Sequence, residues 1–389
     1  MFEDKLAKRI KKLPPYLFAE LDKKREEARK NGLDIIDLGV GDPDRPTPSH
    51  IVDAMQKEVA SPRNHKYPSY QGLLEFRQAV ATWYRHRFGV DLDPGKEVIS
   101  LIGAKEGIAH LPLAFIDHED MALVPSPAYP VYKIGTVFAG GTPYIMPLKR
   151  ENKFLPDLNK IPAKIAEKAK LMFLNYPNNP TGACADKFFF EEVVQFAKKH
   201  NIIVAHDAPY SEMYYEENDK PISILEVEGA KDIAIEFHSL SKTYQMTGWR
   251  IGFAVGNAEI ISALGKVKTN IDSGLFEAIQ RAGIVALTAD QKCTDDMRAV
   301  YRERRDTLVS GLKEAGINVS PPRGTFYVFA PTPNAKPSTE FCAELLEKTG
   351  VVVTPGIGFG EEGEGFFRCA LTVPVERIEE AVKRIKTVL

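Results

Sequence analysis

Apolar, strand-like runs alternate with amphipathic helical stretches along most of the chain. Two such runs, AKLMFLN (169–175) and NIIVAHDAPY (201–210), flank the stretch DKFFFEEVVQFAKKH (186–200). Apolar residues of the middle stretch fall on one helical face, at Phe189, Phe190, Val193, Val194 and Ala197. The flanking runs are apolar at nearly every position, which is typical of strands buried on both faces. The pattern therefore predicts an α/β fold in which helices cover a mainly parallel sheet.

The pattern of predicted helices and strands changes near residue 290. Beyond it, the stretches AVYRERRDTLVSGLKEAG, STEFCAELLEKTG and PVERIEEAVKRIKTVL predict helices around short strands, the pattern of a smaller α+β unit. Length also favours two units, because 389 residues exceed a typical single domain. We therefore predict a large domain at residues 46–288 and a small domain made of residues 1–45 and 289–389.

Composition argues against several classes of partner. Lys and Arg total 51 against 53 for Asp and Glu, so no strong field attracts nucleic acid or an anionic membrane. No apolar run is long enough to span a bilayer, and the N-terminus lacks the apolar core of a secretory signal. The four cysteines lie far apart, and no two histidines have the spacing of a metal-binding helix. We therefore expect a cytoplasmic protein without disulfides or a metal site.

Polar residues follow the predicted strands, at the edge where ligands bind in such sheets. Ala104 and Lys105 begin a helix after EVISLI, and their backbone amides would suit an anion. Ser239, Ser241 and Arg250 could add hydroxyl donors and a planar guanidinium for phosphate oxygens. Ordinary turns would explain the same residues, and neither a Walker loop nor a dinucleotide fingerprint is complete.

Asp207 follows a buried strand, where an unpaired carboxylate is costly. Its partner would be either a structural salt bridge or a protonated pyridine nitrogen, whose ring the carboxylate would make a better electron sink. Tyr210, and Asn179 at the expected end of the neighbouring strand, could bind a phenolic oxygen of the same ring. Tyr129 could stack on that ring or simply fill the core.

Together, YPNNPTG, Asp207 with Tyr210, SLSKT and GWRIGF resemble, in order and spacing, the motifs of the fold-type I, pyridoxal-phosphate-dependent aminotransferases of class I/II. The resemblance covers nearly the whole chain. It implies a large domain with a mainly parallel seven-stranded sheet, a smaller α+β domain, and a homodimer with shared active sites. Lys242 of SLSKT would then carry pyridoxal 5'-phosphate and, once released from it, transfer protons.

The resemblance also implies how the cofactor is held. Asp207 would pair with the ring nitrogen, Tyr210 and Asn179 would bind the ring oxygen, and Tyr129 would stack on the ring. Five residues would bind the phosphate: Ala104, Lys105, Ser239, Ser241 and Arg250. Tyr67 of KYPSYQG would reach the phosphate from the partner subunit.

For the substrate, Arg368 in GFFRCAL matches the family's arginine that binds the α-carboxylate, and the backbone of Gly41 would lie nearby. Contacts to the substrate are also implied for three residues that hold the cofactor, namely Lys105, Tyr129 and Asn179.

A narrower resemblance is to the LL-diaminopimelate aminotransferases, in LPPYLFAELDKK, LGVGDPDRPTP, HKYPSYQGL, LIGAKEGIAH, IEFHSLSK and GVVVTPGIGFGEEGEGFFR. It implies conversion of tetrahydrodipicolinate and glutamate into LL-2,6-diaminopimelate and 2-oxoglutarate, in lysine and peptidoglycan biosynthesis, through a ping-pong cycle. Tyr16 would lie at the substrate entrance. Plant-type members carry an acidic residue at the position of Tyr70 and an asparagine at that of Glu277. Here Glu277 is either the residue that binds the distal ammonium or an ordinary solvated helical glutamate.

Three alternatives share much of this pattern. An alanine, aspartate or aromatic aminotransferase would keep every cofactor residue and differ in its side-chain contacts. A β-lyase would use the same fold and cofactor. A non-catalytic pyridoxal-phosphate sensor is disfavoured, because the chain retains both Lys242 and Arg368 and carries no added DNA-binding segment.

Overall fold

The computed structural model describes residues 2–11, 13, 25–27, 29–30 and 32–389. In chain order, the strands of these residues are β1 (Ile36–Asp37), β2 (Val98–Leu101), β3 (Met121–Ser126), β4 (Thr142–Pro147), β5 (Ala169–Asn175), β6 (Ile203–Asp207), β7 (Ala234–Ser239), β8 (Gly252–Gly256), β9 (Tyr327–Pro331), β10 (Val351–Val352), β11 (Thr354–Pro355) and β12 (Phe366–Ala370).

The α-helices are α1 (Lys8–Lys11), α2 (Ser49–Val59), α3 (Leu74–Phe88), α4 (Ala104–Phe115), α5 (Val131–Phe138), α6 (Ala163–Ala166), α7 (Lys187–His200), α8 (Leu240–Thr243), α9 (Ala258–Ile271), α10 (Glu277–Thr288), α11 (Lys292–Glu314), α12 (Ser338–Thr349) and α13 (Val375–Lys386). Among the helices of the described residues, none has the length and apolar character needed to cross a bilayer.

A seven-stranded sheet with the order β2-β8-β7-β6-β5-β3-β4 forms the centre of the molecule. Within this sheet, β8 pairs antiparallel with β2 and with β7, while the pairs from β7 to β4 are parallel. The carboxyl ends of the other six strands therefore lie at one edge. This confirms the predicted α/β fold with a mainly parallel seven-stranded sheet.

Helix α7 shows how local sequence produces this architecture. The Asp186 side chain caps its first turn by accepting a hydrogen bond from the Phe189 N–H at 2.9 Å. The helix ends at Asn201, which adopts the left-handed conformation with φ of 53°. The five apolar residues predicted to share one face are all buried, so the predicted helix is confirmed.

A second core lies beside the large sheet. It surrounds an antiparallel sheet of order β11-β12-β9 and the parallel pair of β1 and β10. Its buried residues include Ile36 and Leu38 as well as many residues after 296, and also Tyr210, Met213 and Tyr215. Residues just before position 45 thus pack with the C-terminal part of the chain. The domain boundaries at 45/46 and 288/289 stay a prediction.

Candidate active site

A cavity of about 420 Å³ lies where the carboxyl edge of the large sheet meets the second core. It brings together most of the site residues predicted from the sequence, which are Gly41, Ala104, Lys105, Tyr129, Asn179, Asp207, Tyr210, Ser239, Ser241, Lys242, Arg250 and Arg368. These residues come from positions more than 300 apart in the chain, so only the fold makes them neighbours.

Three predicted residues are not part of this cavity wall. Tyr67 is 89% exposed, and Glu277 is half-buried in the first turn of α10. Tyr67 was assigned to the site of a partner subunit, so its role stays a prediction, and the role of Glu277 toward the distal ammonium stays a prediction as well. Tyr16 lies outside the described residues.

Lys242 lies on the short helix α8, directly after β7. Its Nζ donates a hydrogen bond to the Gly41 carbonyl oxygen at 2.9 Å. Burial lowers the pKa of the Lys242 ammonium to about 8, with Arg368 and Arg250 acting in the same direction and Asp42 opposing them. An amine with such a pKa is partly neutral near pH 7, which suits it to bond a carbonyl carbon and to accept a proton.

Asp207 ends β6 and is only 5% exposed. Its Oδ2 accepts a hydrogen bond from the Tyr132 hydroxyl at 2.6 Å, while its Oδ1 is buried without a hydrogen-bond partner among the described residues. Burial raises the pKa of Asp207 to about 6, although the Tyr132 hydrogen bond and the charge of His206 lower it. A buried oxygen of this kind fits a ligand that brings its own proton donor.

The start of α4 forms an anion-binding end of the cavity. The N-cap residue Gly103 has φ of +77°, and a Cβ added there would overlap the Arg250 guanidinium, so glycine lets Arg250 lie against the helix start. The Ser239 Oγ accepts a hydrogen bond from the Ser241 N–H at 3.2 Å, while the Ser241 Oγ is buried without a partner among the described residues. A helix N-terminus, serine hydroxyls and an arginine together fit a phosphate group.

Arg368 is a buried cation on the wall of the same cavity. Its guanidinium donates to the Asn179 Oδ1 at 2.9 Å and to the Gly39 carbonyl at 2.7 Å. The rings of Tyr327 and Phe359 flank it, with centroids 4.1 and 4.7 Å from its Cζ. Burial lowers the pKa of Arg368, and no carboxylate of the described residues is among the groups that act on this pKa. A buried cation without an internal carboxylate is suited to a carboxylate ligand.

The cavity wall also contains the aromatic side chains of Tyr129 and Tyr210. The Lys105 Nζ lies 5.6 Å from the centroid of the Tyr129 ring. The Tyr210 hydroxyl donates to the Tyr327 hydroxyl at 3.3 Å. The two predicted tyrosines therefore lie on the wall of the same cavity as Asp207 and Lys242.

The structure corrects one position and adds residues that the sequence did not single out. Asn179 does not end the neighbouring strand, because β5 ends at Asn175, four residues earlier. The Asn175 amide donates to the Asp207 carbonyl at 2.7 Å, and its Oδ1 accepts from the Asn179 N–H at 2.8 Å. Asn175 therefore fixes the loop that presents Asn179. Tyr132 and Tyr327 also line the cavity, and only their nearness to Tyr129 and to the GTF turn could have drawn attention to them.

One cluster outside the cavity has the composition of a metal site. Glu106, His110 and Asp272 lie close enough together to share an ion. The fully buried Lys268 already places its Nζ 3.3 Å from the Glu106 carboxylate and 2.9 Å from that of Asp272. The Lys268 ammonium occupies the position that a metal ion would take between the two carboxylates, so we describe the cluster as an internal ion-pair network.

Comparison with known proteins defines the class to which this fold and cavity belong. A sequence model of the family described as aminotransferase class I and II matches residues 33–385. The chain therefore belongs to this family, and it is an aminotransferase whose cofactor is pyridoxal 5'-phosphate. This confirms the predicted family and fold type.

Individual relatives narrow the comparison. LL-diaminopimelate aminotransferases from Nitratidesulfovibrio vulgaris and Aquifex aeolicus are 57% and 58% identical over 386 residues, which is 99% of this chain and 99% of each relative. Substrate-bound BacF from Bacillus subtilis superposes with a TM-score of 0.94 at 40% identity, covering 98% of this chain and 97% of that one. An aspartate aminotransferase mutant from Thermus thermophilus gives 0.93 at 31% identity, with 99% of both chains covered.

The cavity residues fit the family's cofactor. Asp207 Oδ1 is an acceptor without a donor, which a protonated pyridine nitrogen would supply. Ser241 Oγ is a hydroxyl without a partner, which a phosphate oxygen would supply. Both atoms belong to residues of the same cavity as Lys242, whose amine would carry the cofactor.

Proposed function

We propose that the chain converts tetrahydrodipicolinate and glutamate into LL-2,6-diaminopimelate and 2-oxoglutarate. The observation that carries this substrate assignment is the identity of 57–58% over 99% of both chains to two enzymes named LL-diaminopimelate aminotransferases. The aspartate aminotransferase with nearly the same fold is only 31% identical, so fold alone does not distinguish the substrate. The pathway would be lysine and peptidoglycan biosynthesis.

Three residues would carry out the chemistry. When bound, pyridoxal phosphate supplies an electron sink for the bond that breaks at the substrate Cα. Lys242 would hold the cofactor and, after release, move a proton at that carbon, a role supported by its lowered pKa of about 8. Asp207 would keep the ring nitrogen protonated through its open Oδ1, and Tyr210 would donate to the ring oxygen from the same cavity wall.

Arg368 would orient the substrate. Its guanidinium would bind the α-carboxylate, with Asn179 and the backbone of Gly41 alongside it, as their places on the cavity wall support. Fixing both the carboxylate and the cofactor sets which bond at Cα faces Lys242. Arginine is needed because its planar fork binds a carboxylate through two parallel hydrogen bonds.

The phosphate and the distal end of the substrate would be shared between subunits. Ala104, Ser239, Ser241 and Arg250 would bind the phosphate with Lys105, and Tyr67 of a partner subunit would complete the site. Lys105 and Tyr129 would also contact the substrate, Glu277 would bind its distal ammonium, and Tyr16 would lie at the entrance. The strong exposure of Tyr67 supports a role outside its own cavity.

We further propose a cytoplasmic homodimer with a large domain at residues 46–288 and a small domain at residues 1–45 and 289–389. The separate core around β9, β11 and β12 supports the division. The four unpaired cysteines are in keeping with a reducing compartment.

A panel of amino donors tests the substrate assignment. We expect kcat/KM with 2-oxoglutarate to be far higher for LL-diaminopimelate than for meso-diaminopimelate, alanine or aspartate, by up to about ten thousandfold where a polar site is left unpaired. Equal values for alanine or aspartate would leave only the general aminotransferase activity, and a lyase would release ammonia and a keto acid without an acceptor.

In Glu277→Gln, we expect a selective loss for LL-diaminopimelate, and an equal loss for every donor would remove Glu277 from the site.

A further inference from the structure

Tyr132 lines the cavity, but the chemistry proposed above gives it no role. It lies in the first turn of α5, three residues after Tyr129, and it is fully buried. Its ring stacks on Phe173 with centroids 5.3 Å apart and planes at 19°, and it meets Tyr129 edge-on at 6.1 Å. Aromatic contacts on two sides fix the ring, so its hydroxyl has one direction.

That hydroxyl donates to the Asp207 Oδ2 at 2.6 Å, a length typical of a hydrogen bond to an ionised carboxylate. The second oxygen, Oδ1, is buried and has no hydrogen-bond partner among the described residues. The two oxygens of one carboxylate are thus divided between the protein and the cavity. Donation to a carboxylate stabilises its charged form, which opposes the effect of burial.

The other charged or titratable groups around Asp207 do not share this contact. Besides Tyr132 of α5, the groups on the neighbouring elements are His206 of β6, Tyr210 of the following loop, Lys242 of α8 and, behind His206, Glu236 of β7. His206 Nδ1 hydrogen-bonds to Glu236 at 2.8 Å, the Tyr210 hydroxyl donates to Tyr327, and Lys242 donates to the Gly41 carbonyl. Within the described chain, Tyr132 is therefore the side-chain donor to the Asp207 carboxylate.

We propose that Tyr132 is a positioning residue for Asp207: the Tyr132 hydroxyl keeps the buried carboxylate ionised and leaves its Oδ1 for a proton-bearing ring nitrogen. The inference rests on the role proposed above for Asp207. It makes a specific statement about pH, because a carboxylate that loses a donor takes up a proton at higher pH. Removing the hydroxyl of a residue that merely fills space would not change the pH at which the Asp207 carboxylate takes up a proton.

The test uses the loaded enzyme with Tyr132→Phe, which removes the hydroxyl and keeps the stacked ring. Cofactor retained after gel filtration is measured by visible absorbance between pH 5.5 and 9. Retention is expected to fall at low pH, and we call this part of the pH profile the acid limb. In Tyr132→Phe, we expect the acid limb to move upward by about one pH unit. Retention near pH 6 should then fall by about tenfold, while retention at pH 9 stays close to that of the parent. A limb at the parental pH, or a uniform loss at every pH, would overturn the proposal.

A matched control is Tyr176→Phe. Tyr176 is also a buried tyrosine with a single acceptor, because its hydroxyl donates to the Phe154 carbonyl at 2.9 Å. It does not contact the Asp207 carboxylate, so the acid limb should stay in place. If Tyr176→Phe moves the limb as far as Tyr132→Phe does, general loosening of the core explains both and the proposal fails.

Two further proteins complete the design. Fluorotyrosine incorporated at position 132 has a more acidic hydroxyl and should move the limb downward, which keeps the proposal testable if Tyr132→Phe does not fold. Asp207→Asn separates this inference from the proposed function. If Asp207→Asn keeps parental turnover and retention, the role of Asp207 itself is wrong. If it loses both while Tyr132→Phe and fluorotyrosine keep the parental limb, only the role of Tyr132 is wrong.

Discussion

At the scale of single residues, Asp207 places a charge where folding alone would not favour one. It is an acid whose pKa is raised by burial to about 6 from an ordinary value of 3.8 in the cofactor-free chain. The folded state therefore holds a proton between these two values that the unfolded state has lost. The stability due to this proton is present at low pH and is lost as pH rises through about 6. The proposed role of Asp207 requires the ionised form, which would pair with the protonated nitrogen of the cofactor ring.

Because the pKa of Asp207 is raised in the folded state, replacing its carboxyl group should change stability in a pH-dependent way, and Asp207→Asn tests this. In the cofactor-free protein, we expect the variant to be more stable than the parent at pH 8 by about 2 kcal/mol, because it removes a buried charge. At pH 3, below both the folded pKa of about 6 and the ordinary value of 3.8, the difference should nearly vanish, since Asp207 is then mostly protonated in both states. Turnover of the loaded variant should fall by several powers of ten as the electron sink weakens.

Urea denaturation at both pH values measures the stability change, with Asp53→Asn on exposed α2 as control. The control should change stability little at either pH. An Asp207→Asn variant that is less stable than the parent at pH 8 would contradict the stated cost of the charge.

Some residues of the cavity could be predicted from the sequence, and others could not. Asp207 could be singled out because it is a charged residue after an apolar run, where it needs a partner. The roles of Lys242 and Arg368 follow from the resemblance of SLSKT and GFFRCAL to motifs of the family. Tyr132 and Asn175 could not be singled out, because an aromatic ring or an amide beside a strand is ordinary, and only side-chain direction shows what it contacts. The hydrogen bond from the Asn175 amide to the Asp207 carbonyl joins residues that are 32 positions apart in the chain.

At the scale of elements, strands β6 and β7 carry a buried polar network on the face opposite to the Asp207 carboxylate. Its centre is Glu236, which is fully buried. The carboxylate accepts hydrogen bonds from five groups, namely His206 Nδ1, Ser223 Oγ, the Ile224 N–H, His238 Nε2 and the Tyr84 hydroxyl. Burial alone would raise the pKa of Glu236, but the hydrogen bonds from both histidines outweigh it and hold the pKa well below its usual range.

We expect Glu236→Gln to destabilise the protein by about 2 to 4 kcal/mol at pH 7, since an amide cannot accept from all of these donors. A depressed folded pKa means that the stability is present above the ordinary glutamate pKa of 4.5 and is lost as pH falls below it. The difference between parent and variant should therefore shrink at pH below 4.5.

The measurement is the free energy of unfolding in urea at pH 7 and at pH 3.5, with the exposed Glu303→Gln on α11 as control. Glu303→Gln should stay within about 0.5 kcal/mol of the parent at both. A Glu236→Gln variant that matches this control would mean that the network contributes nothing to stability.

Elements were predicted well where hydrophobic periodicity fixed them. The face of α7 and the βαβ order follow from apolar spacing, and the structure confirms both. Asn179 was placed at the end of β5, but this strand ends at Asn175, two residues before Pro177, which has no N–H to continue the pairing. The backbone of Asn175 still pairs in register with Asp207, and the loop to Asn179 begins only after it.

At the scale of the whole molecule, the exposed surface suggests what a second copy would cover. The segment that contains Tyr67 packs against the loop near Gly274, where a Cβ on Gly274 would meet the backbone of Ser69. Large hydrophobic side chains stay exposed along these two segments, at Tyr67, Tyr70, Leu74 and Ile271. Such a group of apolar residues is typical of a protein interface. The predicted dimer remains a prediction, because a single chain cannot display residues supplied by another.

Hybrid dimers test this prediction. Lys242→Ala should inactivate a subunit's own site, whereas Tyr67→Ala should weaken cofactor binding in the partner's site. In a hybrid of the two, one site carries both defects and the other carries neither. We expect each hybrid to show about half the activity of a parental dimer at limiting cofactor, after purification through two different tags.

If both defects instead act within the same chain, the hybrid will have no intact site. Its activity would then equal the mean of the two variant homodimers. A fully active monomer at low concentration would also contradict shared sites.

The central claim is that one lysine, Lys242, carries the cofactor in the cavity between the two cores. Borohydride reduction of the loaded enzyme fixes the cofactor to the amine that holds it, and peptide mapping by mass spectrometry locates the label. We predict that the label lies on Lys242, and that Lys242→Ala loses both the label and the pH-dependent visible absorbance while staying folded. A label on another lysine in the parent, or unchanged absorbance in Lys242→Ala, would contradict the account.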